Sequence, residues 1–218
     1  RSIQLARYDH VMLVLPPGSF FGGGANWIAY ANRPGTVSVF NDDEILSVSN
    51  QLHEIGHNLG LHHSQADGWE YGDTSGMMGA GHRNDNTQMC FNAAKSFELG
   101  WYADRQVDLD PAKNIFEGKL IGVADYGIST ISHTVVLRIK RNGAEDWFMT
   151  YNRKEGINSS TKKFENLVTL IRSHPGGLST FIASFSSGQE RRYSNFDSGR
   201  TITIRVTGTG NDGNVNYA

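Results

Sequence analysis

The chain has 218 residues, of which 38% are hydrophobic and 19% charged, a composition typical of an ordered globular protein. Its 20 basic and 22 acidic residues leave a formal net charge of −2, and no basic stripe is present that could track phosphates, which argues against a nucleic-acid partner. The longest apolar run, residues 11–15, is too short to span a bilayer, and no signal peptide opens the chain. We therefore expect either a cytosolic protein or one whose leader has been removed.

The first part of the chain predicts three short strands before a helix. Residues 8–15 are interpreted as a buried strand, and residues 27–32 and 36–40 as two more. The glycine run at 22–24 predicts a mobile loop. The acidic residues of the stretch 41–44 are interpreted as caps of the following helix rather than as a calcium site.

A helix over residues 45–59 is predicted from the spacing of its apolar residues, which form one narrow stripe at about 100° per residue. We expect that stripe to face a core; its members are Ile45, Val48, Leu52, Ile55 and Leu59. The opposite side carries His53 and His57, one turn apart, so their imidazoles can converge on one point. Glu54 lies beside that point, where it can contact a water molecule without holding a metal.

The residues that follow this helix predict a third histidine ligand for the same metal ion. Gly60 can adopt the left-handed conformation that ends a helix and reverses the chain, which lets His63 swing back. Three neutral imidazoles leave one position of a tetrahedral zinc site open for water, the arrangement of a catalytic site. Zinc lowers the pKa of that water to about 7, and a nearby carboxylate can accept its proton. The predicted Zn²⁺ ligands are therefore His53, His57 and His63, and Glu54 is the predicted general base.

Simpler interpretations were weighed for the histidines. A helix with the short HExxH pattern can be an ordinary amphipathic surface helix, but Gly60 and His63 at their spacing favour the zinc site. His62 is interpreted as an outward-pointing neighbour. A structural or surface role is expected for the scattered histidines, which are His10, His82, His133 and His174.

The second half of the chain predicts one more helix and then strands. Residues 92–100 have helical composition and a closing glycine. Asn142-Gly143 lies between two strand-like runs and predicts a type I′ hairpin. Residues 200–206 alternate, which places Ile202, Ile204 and Val206 on one face.

Cys90 and Asn158, both in this half of the chain, are candidates for chemical modification. Cys90, the single cysteine, is interpreted as a lone buried thiol, with a partner outside this sequence as the alternative. Asn158 begins a triplet that matches a glycosylation acceptor, a pattern that is common by chance.

Two motifs carry a resemblance to a known family. The run His53-Glu54-x-x-His57-x-x-Gly60-x-x-His63 matches the metzincin zinc signature, which a methionine turn follows. Downstream, "YGDTSGMMGAGH", residues 71–82, resembles the tyrosine-glycine-aspartate segment and Met-turn of gametolysin-type zinc metallopeptidases, a family of the metzincin clan. The likeness continues in residues 90–102 and, more faintly, in residues 148–161.

The resemblance implies roles for residues outside the signature. Met78, rather than Met77, is the implied turn methionine, a soft apolar floor beneath the imidazoles; a core methionine is the alternative. Astacins and serralysins have a zinc-binding tyrosine two residues later, where this chain has Ala80, so no tyrosine is assigned to the oxyanion. Residues 36–40 are the implied edge strand for peptide substrates, and residues 79–91 the implied lining of a substrate pocket.

These predictions combine into an expected α+β fold. A metzincin-like catalytic module with an active-site helix and Met-turn is expected in residues 1–103, its upper lobe ending at about residue 63 and its lower lobe following. An antiparallel β-rich C-terminal subdomain, packed on the catalytic lobes, is expected in residues 104–218. The metzincin upper lobe normally has a further strand and helix before these segments, so the chain is interpreted as a processed product with an upstream pro-segment.

The expected function is that of a secreted, extracellular zinc endopeptidase. Its partners would be protein or glycoprotein substrates, and the resemblance implies cell-wall glycoproteins. One alternative is a wall- or carbohydrate-binding module with a vestigial zinc site, against which an intact Glu54 argues. The other alternative is a zinc amidase acting on non-peptide amides.

Overall fold

The computed structural model describes residues 7–17, 19, 27–81 and 87–218. The glycine run predicted to form a mobile loop and His82 lie outside the described residues. The fold is mixed α/β, and the chain divides into two compact units. Unit 1 comprises Arg1–His62 with Ala80–Thr87, and unit 2 comprises His63–Gly79 with Gln88–Ala218. None of the helices in the described ranges has the length and apolar character that crossing a lipid bilayer requires.

The helices and strands alternate irregularly along the described chain. The α-helices are α1 (Val48–Asn58) and α2 (Ala93–Leu99), and short 3₁₀ helices cover Asp42–Leu46, Ala103–Arg105, Val123–Ile128 and Gly156–Asn158. The strands are β1 (Val11–Leu15), β2 (Ala29–Ala31), β3 (Val37–Asn41), β4 (Ser64–Gln65), β5 (Gln106–Leu109), β6 (Lys119–Leu120), β7 (His133–Thr134), β8 (Val136–Ile139), β9 (Asp146–Tyr151), β10 (Val168–Ser173), β11 (Ser179–Phe185), β12 (Glu190–Asp197), β13 (Arg200–Arg205), β14 (Gly210–Asp212) and β15 (Val215–Tyr217).

Unit 1 contains a three-stranded sheet in the order β1-β3-β2. β3 pairs parallel with β1 and antiparallel with β2, so it is the central strand of this sheet. The prediction that residues 36–40 form an edge strand is therefore wrong, because both sides of β3 already carry partners. The prediction of a buried strand at residues 8–15 is also wrong in part, since Leu13 and Val14 of β1 are 39% and 50% exposed.

Helix α1 begins later than predicted, and a serine caps it. The Oγ atom of Ser47 accepts a hydrogen bond from the backbone N–H of Asn50 at 3.3 Å, which satisfies one of the free amides at a helix start. The acidic residues 42–44 lie instead in the separate 3₁₀ helix, whose N-cap Asn41 makes no side-chain cap. The prediction that residues 41–44 cap the active helix is therefore wrong for α1.

The predicted apolar stripe is not the most buried face of α1. Ile45 lies in the 3₁₀ helix, and Leu59, beyond the end of α1, is 41% exposed. The fully buried residues of the helix are small or polar, and they are Ser49, Glu54, Gly56 and Asn58. The apolar pattern alone therefore did not predict which face of α1 is the most buried.

Unit 2 contains a six-stranded sheet in the order β4-β11-β10-β9-β8-β5. The four middle strands pair antiparallel, whereas β4 and β5 pair parallel with their neighbours, so the sheet is mixed. One face packs against the β12–β13 ribbon, including Ile204 and Val206, and the other against Ala93 and Ala94 of α2. The predicted one-sided burial of residues 200–206 is thereby confirmed, with Ile202 partly buried on the same core.

The remaining predictions for unit 2 have mixed outcomes. Helix α2 ends at Gly100, which has a left-handed φ of 68°, as predicted. β8 and β9 form the predicted hairpin, but its loop spans residues 140–145 and only Gly143 has a positive φ, so the turn is not type I′. Side chains hold the longer loop instead, because Asp146 Oδ1 accepts from the Arg141 N–H at 2.8 Å.

The side chains of Asn158 and Cys90, both in unit 2, make hydrogen bonds or contacts within the folded chain. The amide nitrogen of Asn158 donates to Asn152 Oδ1 at 2.9 Å and to the Arg153 carbonyl at 3.0 Å. Asn158 is only 5% exposed, so it does not present a glycosylation acceptor in the folded chain. Cys90 is a free, half-buried cysteine whose thiol contacts the Ile157 carbonyl at 3.6 Å.

Candidate metal centre

The end of α1 has the hydrogen bonds that reverse the chain towards the third histidine. Gly60 has a φ of 98°, and its N–H donates to the His57 carbonyl at 2.8 Å. The N–H of Leu61 donates to the Gly56 carbonyl at 2.9 Å. This pair of bonds around a left-handed glycine is a Schellman motif, with fully buried Leu61 as its apolar anchor. The predicted left-handed bend at Gly60 is confirmed.

The structure brings three predicted ligands together within the segment 53–63. One side-chain nitrogen from each of His53, His57 and His63 lies within 4.8 Å of the other two. The rings of His53 and His57 have centroids 4.8 Å apart and planes at 83°, as expected for side chains one turn apart on a helix. His62 is not part of this group, but it forms a second possible group with His63 and Glu70.

Hydrogen bonds to Nδ1 define the tautomer of two of the candidate ligands. His57 Nδ1 lies 2.8 Å from the Leu61 carbonyl oxygen, and His63 Nδ1 lies 2.5 Å from Glu70 Oε1. A carbonyl or carboxylate oxygen can only accept, so each Nδ1 must carry the hydrogen. Each neutral ring then has its lone pair on Nε2, the form that binds a metal.

Glu54, which follows His53 in the sequence, has an unsatisfied carboxylate oxygen. The residue is 6% exposed, and its Oε2 has no hydrogen-bond partner among the described residues. Desolvation by burial raises the pKa of Glu54 to about 7, because the charged form loses its hydration. A buried, unpaired carboxylate is costly, and a cation or a water molecule at this position would satisfy it.

The donor set fits a zinc ion. Three neutral imidazoles are a typical ligand set for catalytic zinc, with a fourth position left for water or substrate. A carboxylate is the kind of side chain that can act as a base on metal-bound water, and Glu54 is a carboxylate residue of the helix that carries His53 and His57. Apart from His62, none of the other described histidines belongs to a group that could hold a metal ion; His133, for example, is buried and accepts a hydrogen bond from the Thr130 N–H at 3.1 Å.

The segment "YGDTSGMM", residues 71–78, is held by a buried polar network in unit 2. Asp73 is fully buried, and its two carboxylate oxygens accept from the Ser75 hydroxyl at 2.5 Å and from Asn92 Nδ2 at 2.9 Å. Burial raises the pKa of Asp73, and these hydrogen bonds oppose that effect. Asn92 Nδ2 also lies 3.1 Å from Ser64 Oγ, so one amide joins this segment, the start of α2 and β4.

Two methionines of this segment are buried. Met77 and Met78 are 1% and 0% exposed, and the Met78 carbonyl accepts from the Ser64 N–H at 2.8 Å. Gly79 follows because a Cβ there would lie 2.0 Å from the Asp73 carbonyl oxygen. The backbone of the segment is thus tightly folded, whereas the role of Met78 as a floor for the imidazoles stays a prediction.

The sequence did not predict the contact of Glu70 with His63, nor the buried pair of Asp73 and Asn92 that holds the segment 71–78. Asp73 and Glu70 lie within or beside the quoted motif, but nothing in their spacing identifies their partners. Asn92 was treated only as part of a helical segment, although an asparagine at a helix start is a capping signal that could have been used. Its side chain caps α2 by accepting from the Lys95 N–H at 3.1 Å.

The fold and the site together define a class: a mixed α/β chain with a three-histidine group and a buried glutamate that follows the first of these histidines in the sequence. A family model described as gametolysin peptidase M11 matches residues 2–155. The chain therefore belongs to the gametolysin peptidase M11 family, which confirms the resemblance drawn from its motifs and indicates a peptidase.

Comparison with individual proteins gives a more limited match. The chain is similar to autolysin from Chlamydomonas reinhardtii, with 30% identity over 95 residues, which are 40% of this chain and 14% of that protein. The chain thus matches a small fraction of the length of this relative. The comparison with solved structures found no significant match.

Proposed function

We propose that this chain is a zinc-dependent endopeptidase. The observation that carries the proposal is the grouping of His53, His57 and His63, in a segment that also carries Glu54 with its buried, unsatisfied carboxylate oxygen. Membership in a peptidase family supports the reaction class, and the three-imidazole donor set supports zinc. When bound, zinc supplies a Lewis acid that assists the attack of water on a peptide carbonyl.

The chain's own residues then have distinct roles. His53, His57 and His63 hold the ion, and the hydrogen bonds on Nδ1 keep His57 and His63 in the ligating tautomer. Glu54 accepts a proton from the attacking water and later donates it to the leaving amine. Burial of Glu54 reduces the solvation of its carboxylate and so makes it a stronger base in the metal-free chain.

The wider arrangement is proposed from the resemblance to the family. Met78 serves as the turn methionine of a catalytic module in residues 1–103, and residues 104–218 form a β-rich subdomain packed on it. The protein acts outside the cell on proteins or glycoproteins, with cell-wall glycoproteins as the substrate class that the resemblance implies. Membership in a peptidase family supports peptide bonds, rather than non-peptide amides, as the bonds that are cleaved.

Replacing Glu54 by Gln tests the mechanism directly. The Glu54→Gln side chain retains the shape of glutamate but cannot accept a proton, so casein hydrolysis should fall by about 100-fold or more while zinc still binds at one equivalent. The matched control is Glu117→Gln, the same change at an exposed residue, which should hydrolyse casein like the parent chain. A chelator should abolish hydrolysis by the parent and by the control.

Two results would contradict the proposal. Full casein hydrolysis by Glu54→Gln would remove Glu54 as the base, and hydrolysis that persists after complete chelation would remove the metal. A zinc amidase would instead leave casein intact while hydrolysing a small acyl amide, and a vestigial site in a binding module would hydrolyse neither.

A further inference from the structure

His63 is held by a carboxylate that lies outside the zinc-binding motif. Its Nδ1 lies 2.5 Å from Glu70 Oε1, at the short end of a charge-assisted hydrogen bond. The side chain of His63 is 15% exposed and that of Glu70 is 49% exposed. The two residues lie at opposite ends of a short chain reversal in unit 2, so their contact is a local product of that fold.

A tight turn returns Glu70 towards His63. The N–H and carbonyl groups of Ala66 and Trp69 bond reciprocally at 3.2 and 2.9 Å. The two residues between them, Asp67 and Gly68, have φ angles of 54° and 76°. Positive φ at both central residues is the pattern of a type I′ turn, for which Asp-Gly is a favoured sequence. The turn therefore fixes where the chain after Trp69 runs.

The backbone of His63 is fixed on its other side by the large sheet of unit 2. Its carbonyl accepts from the Ser179 N–H at 3.1 Å, and the adjacent strand β4 pairs with β11. The ring of Tyr71 packs on the imidazole of His63, with centroids 4.1 Å apart. With the backbone and one ring face held, the hydrogen bond to Glu70 determines which nitrogen of His63 carries the hydrogen.

We propose that Glu70 is a positioning residue that orients His63 and holds it in the tautomer that binds zinc, an inference that rests on the proposed function. A carboxylate that accepts from Nδ1–H leaves the lone pair on Nε2 and raises its basicity, which strengthens the bond from the imidazole to a metal. The Nδ1–H of His57 is held in the same way by the Leu61 carbonyl oxygen. A side-chain substitution cannot remove that backbone acceptor. Glu70 is thus the partner whose contribution mutation can measure.

A different use of the same residue has to be distinguished. His62, His63 and Glu70 also lie close enough together to hold a metal ion themselves. In that arrangement Glu70 would be a ligand of a second ion. We favour the positioning role because the contact of Glu70 with His63 Nδ1 is already a complete hydrogen bond, and because His63 belongs to the three-histidine group.

Zinc titration of the metal-free chain against a chromophoric competitor tests this inference, because it gives both affinity and stoichiometry. The parent should bind one zinc ion, and Glu70→Ala should bind one ion with a Kd raised about 10- to 100-fold. Glu70→Gln should lie between them, since an amide oxygen still accepts from Nδ1–H without the negative charge. The control Glu165→Gln removes an exposed charge that pairs with Lys154 and should match the parent.

The melting temperature of each metal-free variant serves as the check on folding. An exposed ion pair contributes little to stability, so the metal-free variants should melt like the metal-free parent. Unchanged zinc affinity in Glu70→Ala would overturn the positioning role while leaving the proposed function intact. Loss of a second equivalent of zinc at unchanged affinity for the first would show that Glu70 is a ligand of another ion. A parent chain that binds no zinc would contradict the proposed function itself.

Discussion

The side chain of Asn58 ties the end of α1 to the neighbouring strands of unit 1. Its Nδ2 donates to the carbonyls of Asn32 and Val37, each at 3.1 Å, and the residue is 5% exposed. The backbone carbonyl of Asn58 accepts from the Gly35 N–H at 3.1 Å. Asn58 immediately follows His57, so these bonds also hold the helix end that carries a candidate ligand.

Replacing Asn58 by Asp should therefore destabilise the chain strongly. A carboxylate would face two carbonyl oxygens in a buried position, and we expect the free energy of unfolding to fall by about 3 kcal/mol at pH 7. Burial raises the pKa of such a carboxyl, so the loss should shrink as the pH falls towards 4 and the group becomes protonated. Urea unfolding at both pH values measures this.

The control for that experiment is Asn114→Asp, because Asn114 is exposed. It should change the unfolding free energy by less than about 0.5 kcal/mol. If Asn58→Asp unfolded at the urea concentration of the parent at pH 7, the assigned role of the amide would be wrong.

The thiol of Cys90 offers a second test at the scale of one residue. Desolvation raises its pKa to about 12, so at pH 8 about one molecule in 10⁴ carries the thiolate that reacts with disulfide reagents. An unfolded chain, with a thiol pKa of about 8.5, should have roughly a quarter of its thiols ionised. Labelling by a disulfide reagent should therefore be at least about 100-fold slower in the native chain than in urea, and comparable rates would contradict the assignment.

What the sequence could predict at this scale was residue type and spacing, but not hydrogen-bond partners. His53, His57, His63 and Glu54 were identified because metal and base chemistry requires those side chains at those intervals. The Nδ1 atoms of His57 and His63 are bonded to the Leu61 carbonyl and to the Glu70 carboxylate. These partners depend on how the chain turns after the helix. Those turns combine several φ angles, and no single residue type specifies them.

At the scale of elements, the reversal after α1 is the feature on which the candidate site depends. Gly60 has a φ of 98°, and a Cβ at this position would contact nothing within 4 Å, so the requirement for glycine is conformational and not steric. L-residues other than glycine adopt this region at a cost of about 1–2 kcal/mol. The backbone bend that leads to His63 therefore depends on a glycine at this position.

Replacing Gly60 by Ala should lower both stability and zinc affinity. The unfolding free energy should fall by about 1–2 kcal/mol, and zinc should bind at least about 10-fold more weakly because relief of the strain displaces His63. Gly188→Ala is the matched control, with a φ of 80° and nothing within 4 Å of the added Cβ. It should lose similar stability with no change in zinc affinity. Equal zinc affinity in the two variants would contradict the role assigned to the bend.

The other elements show where local patterns succeeded and where they failed. The glycine after α2 and the alternation in β13 were predicted because each depends on one residue or one period. The Asn142-Gly143 turn was assigned wrongly, since side chains of Asp146 and its neighbours stabilise a longer loop. A type I′ turn occurs instead at Asp67-Gly68, within the segment that returns Glu70 to His63.

At the scale of the whole molecule, segments distant in sequence support one another within unit 2. The Thr161 hydroxyl donates to the Ser75 carbonyl at 3.2 Å, and the Cys90 N–H donates to Asn158 Oδ1 at 3.0 Å. The loop 158–161 thus contacts both the methionine-containing segment 71–78 and the chain just before α2. The family assignment and the general fold class could be predicted from the motifs, but these long-range contacts could not, because they depend on the assembled sheet.

The central claim is that three imidazoles of one short segment bind a single zinc ion beside a glutamate base. Equilibrium dialysis of the purified chain against zinc, followed by metal analysis, measures this most directly. The account predicts one zinc per parent chain and per Glu54→Gln chain, and much less than one in His57→Ala. A parent chain that retains no zinc, or a His57→Ala chain that retains as much as the parent, would contradict it.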